Sequence, residues 1–85
     1  MHVTNIFTKT DNIGYEKALE LAKDEARQRL DDPMLLAWYE QEGERFSPRV
    51  QCCGEDEPAW AVYARSRGGK LRVEVNKGEY IFIFR

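Results

Sequence analysis

The sequence predicts an α+β domain in which a small mixed β-sheet carries two helices on one face, forming a two-layer sandwich. Three stretches predict it. An amphipathic segment spans Ile13 to Leu30, a second helical segment spans Pro58 to Arg67, and a β-hairpin extends from Leu71 to Arg85. With the strands between them, the expected order is strand, helix, strand, short edge strand, helix, strand, strand, within one domain of residues 1–85.

Composition and charge favour a cytoplasmic globular protein. The 85 residues are 42% hydrophobic and 33% charged, which is ordinary for a folded domain. The N-terminus lacks the pattern of a signal peptide, and no apolar run reaches the ~20 residues that span a bilayer. The net charge is −2, whereas proteins that bind nucleic acid electrostatically carry an excess of basic residues. We therefore expect neither a membrane nor a nucleic acid as a partner.

The first strand and the first helix follow from their apolar patterns. Residues 2–8 are predicted to form a short strand with apolar residues on both faces. In the helix, charged residues fill the outer face, and Pro33 ends it because a residue before proline is pushed out of the helical region. The inner face is an apolar stripe with steps of three and four residues: Tyr15, Ala18, Leu19, Ala22, Ala26 and Leu30.

Two further strands are predicted before the second helix. Met34 to Tyr39 is a continuous apolar run, which is too short for an independent helix and typical of a buried strand. Arg45 to Val50 can return beside it. Pro48 confines this segment to an edge of the sheet, because proline lacks a backbone donor.

The segment 58–67 has two interpretations. Trp60, Val62 and Ala64 alternate as in a strand. Pro58, however, suits the first position of a helix, and Gly68-Gly69 provides a left-handed stop. We favour the helix because both of its boundary signals are present.

The closing hairpin has one strand with a single buried face and one strand that needs cover on both faces. Leu71, Val73 and Val75 alternate with charged residues. The second strand is apolar at five consecutive positions, which is typical of the centre of a sheet or of an interface. These five residues, Tyr80, Ile81, Phe82, Ile83 and Phe84, are the candidate interface residues of a homodimer.

The turn of the hairpin decides which residues share a face. A two-residue turn at Lys77-Gly78 places the aromatic residues of the second strand beside Leu71, Val73 and Val75. A three-residue turn at Asn76-Lys77-Gly78 places Ile81 and Ile83 there instead. We favour the two-residue turn, with an aromatic core and a mixed interface patch of Ile81 and Ile83 among charged residues.

Cys52 and Cys53 are the candidate thiol site. Their adjacency suggests a redox pair or a soft-metal site, but neighbouring Cα atoms lie closer than a relaxed disulfide requires, and a second ligand pair for zinc is missing. The competing interpretation is one cysteine in the core and one in a loop. The pattern predicts no metal and no cofactor.

A basic cluster is the candidate anion contact. It surrounds Gly68-Gly69 at the C-terminal end of the second predicted helix, where basic residues also simply complement the helix dipole. His2 is the single histidine and has no neighbouring acid or nucleophile in the sequence. The cluster consists of Arg65, Arg67, Lys70 and Arg72.

Three stretches together resemble a small family of uncharacterised prokaryotic proteins with an α+β fold. They are residues 32–39 (DPMLLAWY), residues 52–55 (CCGE) with Pro58 and Trp60, and residues 63–69 (YARSRGG) leading into residues 73–76 (VEVN) and 78–80 (GEY). The resemblance covers nearly the whole chain, implies no activity and carries over no catalytic residues.

The function predicted is a non-enzymatic interaction or binding module, homodimeric through the sheet of the C-terminal hairpin and with an unknown protein partner. The two-sided apolar strand and the small core carry this prediction. The alternative is a thiol-based redox or metal-handling protein that uses Cys52 and Cys53.

Overall fold

The computed structural model describes residues 1–9, 13–48 and 58–85. Along these residues the order is strand, helix, strand, strand, helix, strand, strand, which confirms the predicted α+β class and its C-terminal hairpin. The elements are β1 (His2–Ile6), α1 (Tyr15–Arg29), β2 (Leu35–Glu40), β3 (Arg45–Ser47), α2 (Ala59–Ser66), β4 (Leu71–Val75) and β5 (Tyr80–Phe84).

The strands form one mixed sheet in the order β1-β4-β5-β2-β3. β1 runs parallel to β4, and the other neighbouring pairs are antiparallel. The hairpin of β4 and β5 lies inside the sheet, and β5 is its central strand, as a strand with two apolar faces requires. β3 lies at one edge, as Pro48 predicted, and β1 lies at the other.

The hairpin has the two-residue turn that the sequence favours. Asn76, Lys77 and Gly78 all have positive φ, 52°, 59° and 93°, and the last two values are those of the central residues of a type I′ turn. The Glu79 amide donates to the Asn76 carbonyl at 3.3 Å across this turn. The predicted register is confirmed by the pairs that it produces: Leu71 with Phe84, Val73 with Phe82 and Val75 with Tyr80.

The two helices lie on opposite faces of the sheet, which corrects the expectation that both share one face. Side chains of β5 alternate between the two faces. Phe82 and Phe84 pack on the side of α1, whereas Ile81 and Ile83 pack on the side of α2. A central strand that is apolar on both sides needs a layer on each side. The molecule therefore has three layers, helix, sheet and helix, instead of two.

α1 approaches the sheet closely because its contact residues are small. Ala18, Ala22 and Ala26 follow one another at four-residue steps and are completely buried. They meet the large side chains of the hairpin, so small residues of the helix complement large residues of the sheet. The large side chains on this face are Leu71, Val73, Val75, Tyr80, Phe82 and Phe84.

α2 covers the other face with Trp60, Ala61 and Ala64. Gly68 has φ 87° and supplies the predicted left-handed turn after the helix. A Cβ atom at Gly69 would lie 2.9 Å from the Ala64 carbonyl oxygen, which is too close. Glycine at this position therefore lets the chain pass directly under the end of α2 into β4.

The close approach of α1 makes a specific prediction about overpacking. We expect Ala22→Leu to lower the free energy of unfolding by about 1–3 kcal/mol, because the added carbons have no space between helix and sheet. The matched control is Glu20→Leu, which introduces the same side chain at an exposed position of α1. Urea denaturation of both variants measures the effect. Equal stability of the two variants would contradict this account of α1 packing.

Candidate functional site

An aromatic groove lies on the α2 face of the sheet. Tyr39 and Trp60 stack with their ring centroids 5.4 Å apart and their planes inclined by 11°. Phe46 of the edge strand β3 and Pro58 before α2 extend the same wall, and Ile81 forms part of the floor. The groove has a volume of about 630 Å³. Apolar walls of this kind suit an apolar or aromatic group of a ligand.

One cation lies against the groove and is already engaged. The Nε atom of Arg72 donates to Glu74 Oε2 at 2.9 Å, and the guanidinium carbon lies 5.9 Å from the centre of the Trp60 ring. Trp60 therefore contacts both the Tyr39 ring and the Arg72 guanidinium. These contacts fix the aromatic wall in place before any ligand arrives.

A polar network lies on the opposite face, where β2 meets β3. Arg45 Nε donates to Glu40 Oε1 at 2.6 Å, and its Nη2 atom donates to Oε2 at 2.9 Å. The hydrogen bonds from Arg45 hold the pKa of the Glu40 carboxyl below its ordinary value, and a hydrogen bond from the Tyr80 phenol acts in the same direction. Burial, followed by the charge of Glu40, raises the pKa of Tyr80. The network joins the edge strand to the centre of the sheet and stabilises an ionised Glu40.

A third feature is an exposed apolar strip along the edge strand β1. Val3 is 46% exposed, Phe7 is 66% exposed and Met1 is 53% exposed. Alternation along the extended chain places these odd-numbered residues on the α2 face. Val3 pairs with Arg72 of β4, so the strip borders the cation that lies over Trp60. We call Met1, Val3 and Phe7 the β1 strip.

The structure places the five candidate interface residues inside the molecule. Each of them, Tyr80 to Phe84, is at most 7% exposed, because α1 covers one side of β5 and α2 covers the other. These two helices belong to the same chain, and they cover the surface that was predicted from the sequence to contact a partner. An interface that uses the hairpin as its contact surface therefore has little accessible apolar area to bury.

The candidate anion contacts are dispersed over two elements and the turn between them. Arg65 lies in the last turn of α2, Arg67 directly follows the helix, Lys70 precedes β4, and Arg72 lies within β4. The Arg67 guanidinium stacks over the Tyr63 ring with its carbon 5.0 Å from the ring centre. Arg72 is paired with Glu74. Arg67 and Arg72 thus have structural contacts of their own.

The cysteine pair and the single histidine are the remaining positions singled out from the sequence. Cys52 and Cys53 lie outside the described residues. His2 lies at the start of β1, with its Nε2 atom 3.1 Å from Arg29 Nη1. No group of three or more potential metal ligands occurs within residues 1–9, 13–48 and 58–85. Neither described helix is long and apolar enough to cross a membrane.

Sequence reasoning missed the Glu40–Arg45 pair and the β1 strip. The sequence does indicate the Glu40–Arg45 pair, because Glu40 ends an apolar run and Arg45 begins the next strand after a short turn that contains Gly43. It also indicates the β1 strip. From Met1 to Thr8 the chain carries no Lys, Arg, Asp or Glu, which is unusual for an exposed edge strand.

The fold and its surfaces define a small α+β domain, with a five-stranded mixed sheet in its described part and one helix on each face. The chain belongs to the family described as a domain of unknown function, DUF5619, whose model matches residues 1–84. This confirms the resemblance to a small uncharacterised family.

Both a relative in sequence and a solved structure of similar fold come from Archaeoglobus fulgidus. An uncharacterised protein of this archaeon is 36% identical over 70 residues, which cover 82% of this chain and 74% of the relative. The crystal structure of a novel protein of the same organism is 32% identical and superposes with a TM-score of 0.85, covering 100% of this chain and 93% of the other. The likeness extends over the whole fold, and neither description names an activity.

The Glu40 network makes a prediction about pH. Because the folded-state pKa of Glu40 lies below its ordinary value of 4.5, the ionised carboxylate stabilises the fold above about pH 4.5, and this contribution is lost as pH falls through the folded-state pKa. We expect Glu40→Gln to be less stable than the natural protein at pH 7, with a difference that shrinks toward pH 3. Urea denaturation at pH 7, 5, 4 and 3 measures it.

The control for this experiment is Glu42→Gln in the adjoining turn. Glu42 is exposed, so we expect the difference from the natural protein to stay small at every pH. A stability difference for Glu40→Gln that does not change with pH would show that the carboxylate charge is not what the network stabilises.

Proposed function

We propose that this protein is a small non-enzymatic, cytoplasmic interaction module that works as a homodimer through its β1 edge. The observation that carries the proposal is the exposed β1 strip. Four large apolar side chains of the described residues are exposed, and three of them, Met1, Val3 and Phe7, belong to this strip. Exposed apolar residues that cluster in this way usually mark a binding surface.

The two edges of the sheet differ in a way that supports a partner at β1. The β3 edge has three residues, carries Arg45 and is followed by Pro48. Short length, charge and proline are the features by which proteins keep an edge from pairing with another chain. The β1 edge has five residues, and none of these features occurs in it. An unprotected edge of this length favours addition of another strand.

The size of the chain supports a second copy as the partner. A domain of 85 residues buries only about 60–65% of its unfolded surface, so its core alone supplies limited stability. When two identical chains pair through β1, the exposed β1 edges of both chains are covered. The pair has twofold symmetry, so no β1 edge remains for a third copy.

We expect the natural protein to elute as a dimer, with twice its monomer mass of 10.0 kDa, in size-exclusion chromatography with light scattering. Phe7→Ser removes the largest apolar side chain of the β1 strip. We expect it to raise the dimer dissociation constant by about tenfold or more, because truncating a buried aromatic residue at an interface commonly costs more than 1 kcal/mol.

The control for the dimer is Met34→Ser. Met34 is 55% exposed but precedes β2, which the strands β4 and β5 separate from β1 in the sheet, so this variant should keep the natural dissociation constant. A natural protein that remains a monomer at every concentration from 1 μM to 1 mM would overturn the homodimer.

A second candidate function is protein binding at the aromatic groove. The specific observation is the preorganised wall of Tyr39 and Trp60, continued by Phe46 and Pro58. Aromatic grooves of this kind accept extended segments of other proteins, whose apolar or proline side chains lie between the rings. The expected ligand is therefore an extended apolar segment of a protein partner.

Selection from a displayed library of random decapeptides tests this candidate. We expect selected peptides to be rich in apolar residues and proline, and we expect Phe46→Ser to weaken their binding by about tenfold or more. Met34→Ser is the control, because it removes an exposed apolar side chain that belongs neither to the groove lining nor to the β1 strip. Peptides that bind both variants equally, or a selection without any enriched peptide, would count against the groove.

A further inference from the structure

We infer that two copies join through antiparallel β1 strands centred on Thr4, so that the two sheets continue into one. This inference rests on the proposed homodimer and specifies its geometry. It states which residues of the second copy lie opposite which residues of the first. Three features of β1 favour this geometry: the direction of its free backbone groups, one unpaired hydroxyl and the β1 strip.

The backbone of β1 determines which residues can bond to a partner. The His2 amide donates to the Lys70 carbonyl at 3.0 Å. The Ile6 carbonyl accepts a hydrogen bond from the Asn76 amide, just after β4, at 2.8 Å. Even-numbered residues therefore direct their backbone groups toward β4. In a parallel pair the alternate residues direct theirs away, so the amides and carbonyls of Val3 and Asn5 lie at the open edge.

An antiparallel partner must form its hydrogen bonds with these odd-numbered residues. Registers centred on a residue of β1 allow this, and the three nearest the middle of the strand are centred on Val3, on Thr4 or on Asn5. Thr4 is the middle residue of β1, so the register centred on it pairs the whole strand with the whole strand of the second copy. Val3 of each copy then exchanges two hydrogen bonds with Asn5 of the other.

The Thr4 side chain distinguishes this register from the other two. Its hydroxyl oxygen is the buried side-chain polar atom without a hydrogen-bond partner in the described part of the chain. In the centred register the two Thr4 residues face each other as a non-hydrogen-bonded pair, with Cα atoms about 4.5 Å apart. A rotation about χ1 exchanges hydroxyl and methyl positions, and facing threonines then hydrogen-bond across the strands.

The β1 strip is complementary to itself in the same register. Met1 of each copy lies opposite Phe7 of the other, on the α2 face, so the two most exposed side chains of the strip cover one another. Val3 lies opposite Asn5. Because residues of equal parity stay on one face, both α1 helices lie on one side of the joined sheet and both α2 helices lie on the other.

A scan with single cysteines tests the register. The variants Val3→Cys, Thr4→Cys and Asn5→Cys are made in a chain whose Cys52 and Cys53 are replaced by serine. Each variant is incubated with oxidised glutathione, which takes up the two electrons released when two thiols form a disulfide. Disulfide-linked dimers are followed by non-reducing electrophoresis, and the mass of each variant is measured under reducing conditions by light scattering.

We expect Thr4→Cys to form the linked dimer at least about tenfold faster than the other two variants, because only its two sulfurs meet at the twofold axis. A Cα separation near 4.5 Å is compatible with a disulfide. Fastest linkage of Val3→Cys or Asn5→Cys would overturn the Thr4 register. A dimer by mass in which none of the three variants links would overturn strand pairing but leave the homodimer. A monomer by mass would overturn both.

Discussion

The two-sided burial of β5 is the constraint on which the rest of the structure depends. Five consecutive apolar residues alternate between the faces of the sheet, so the aromatic side chains need one apolar layer and the isoleucines need another. The chain has only two helices in its described part, and each must therefore cover a different face. The position of β5 at the centre of the sheet, with β4 and β2 beside it, follows from the same requirement.

The two layers meet this requirement with different side chains. On the α1 face the sheet supplies the bulk through Phe82 and Phe84, and the helix supplies alanines. On the α2 face the distribution is partly reversed: Trp60 is the largest residue and comes from the helix, while Ala37 comes from the sheet. Large residues thus meet small ones on both faces. This is how an 8-residue helix can complete a buried layer.

Much of this fold was predictable from local patterns, and the parts that were not depend on contacts between distant residues. The hairpin register followed from Lys77-Gly78, and α2 followed from Pro58 and the glycine pair. The pattern of β5 showed that both faces need cover, but an apolar face carries no information about whether a helix of the same chain or another chain covers it. The face of Ile81 and Ile83, predicted to contact another chain, is the one that α2 occupies.

The same constraint explains why function belongs at the edges rather than at the hairpin. Because the most apolar strands occupy the centre, the least apolar strands become edges, and their local chemistry determines whether they stay unpaired. At β3, Arg45 makes two hydrogen bonds to Glu40 and holds the edge strand to its own sheet. At β1 the odd-numbered backbone groups, the Thr4 hydroxyl and the β1 strip all lack such partners within the described residues. The burial of β5 and the open edge at β1 are thus consequences of one arrangement, since the described residues contain no further strand with which to cover β1.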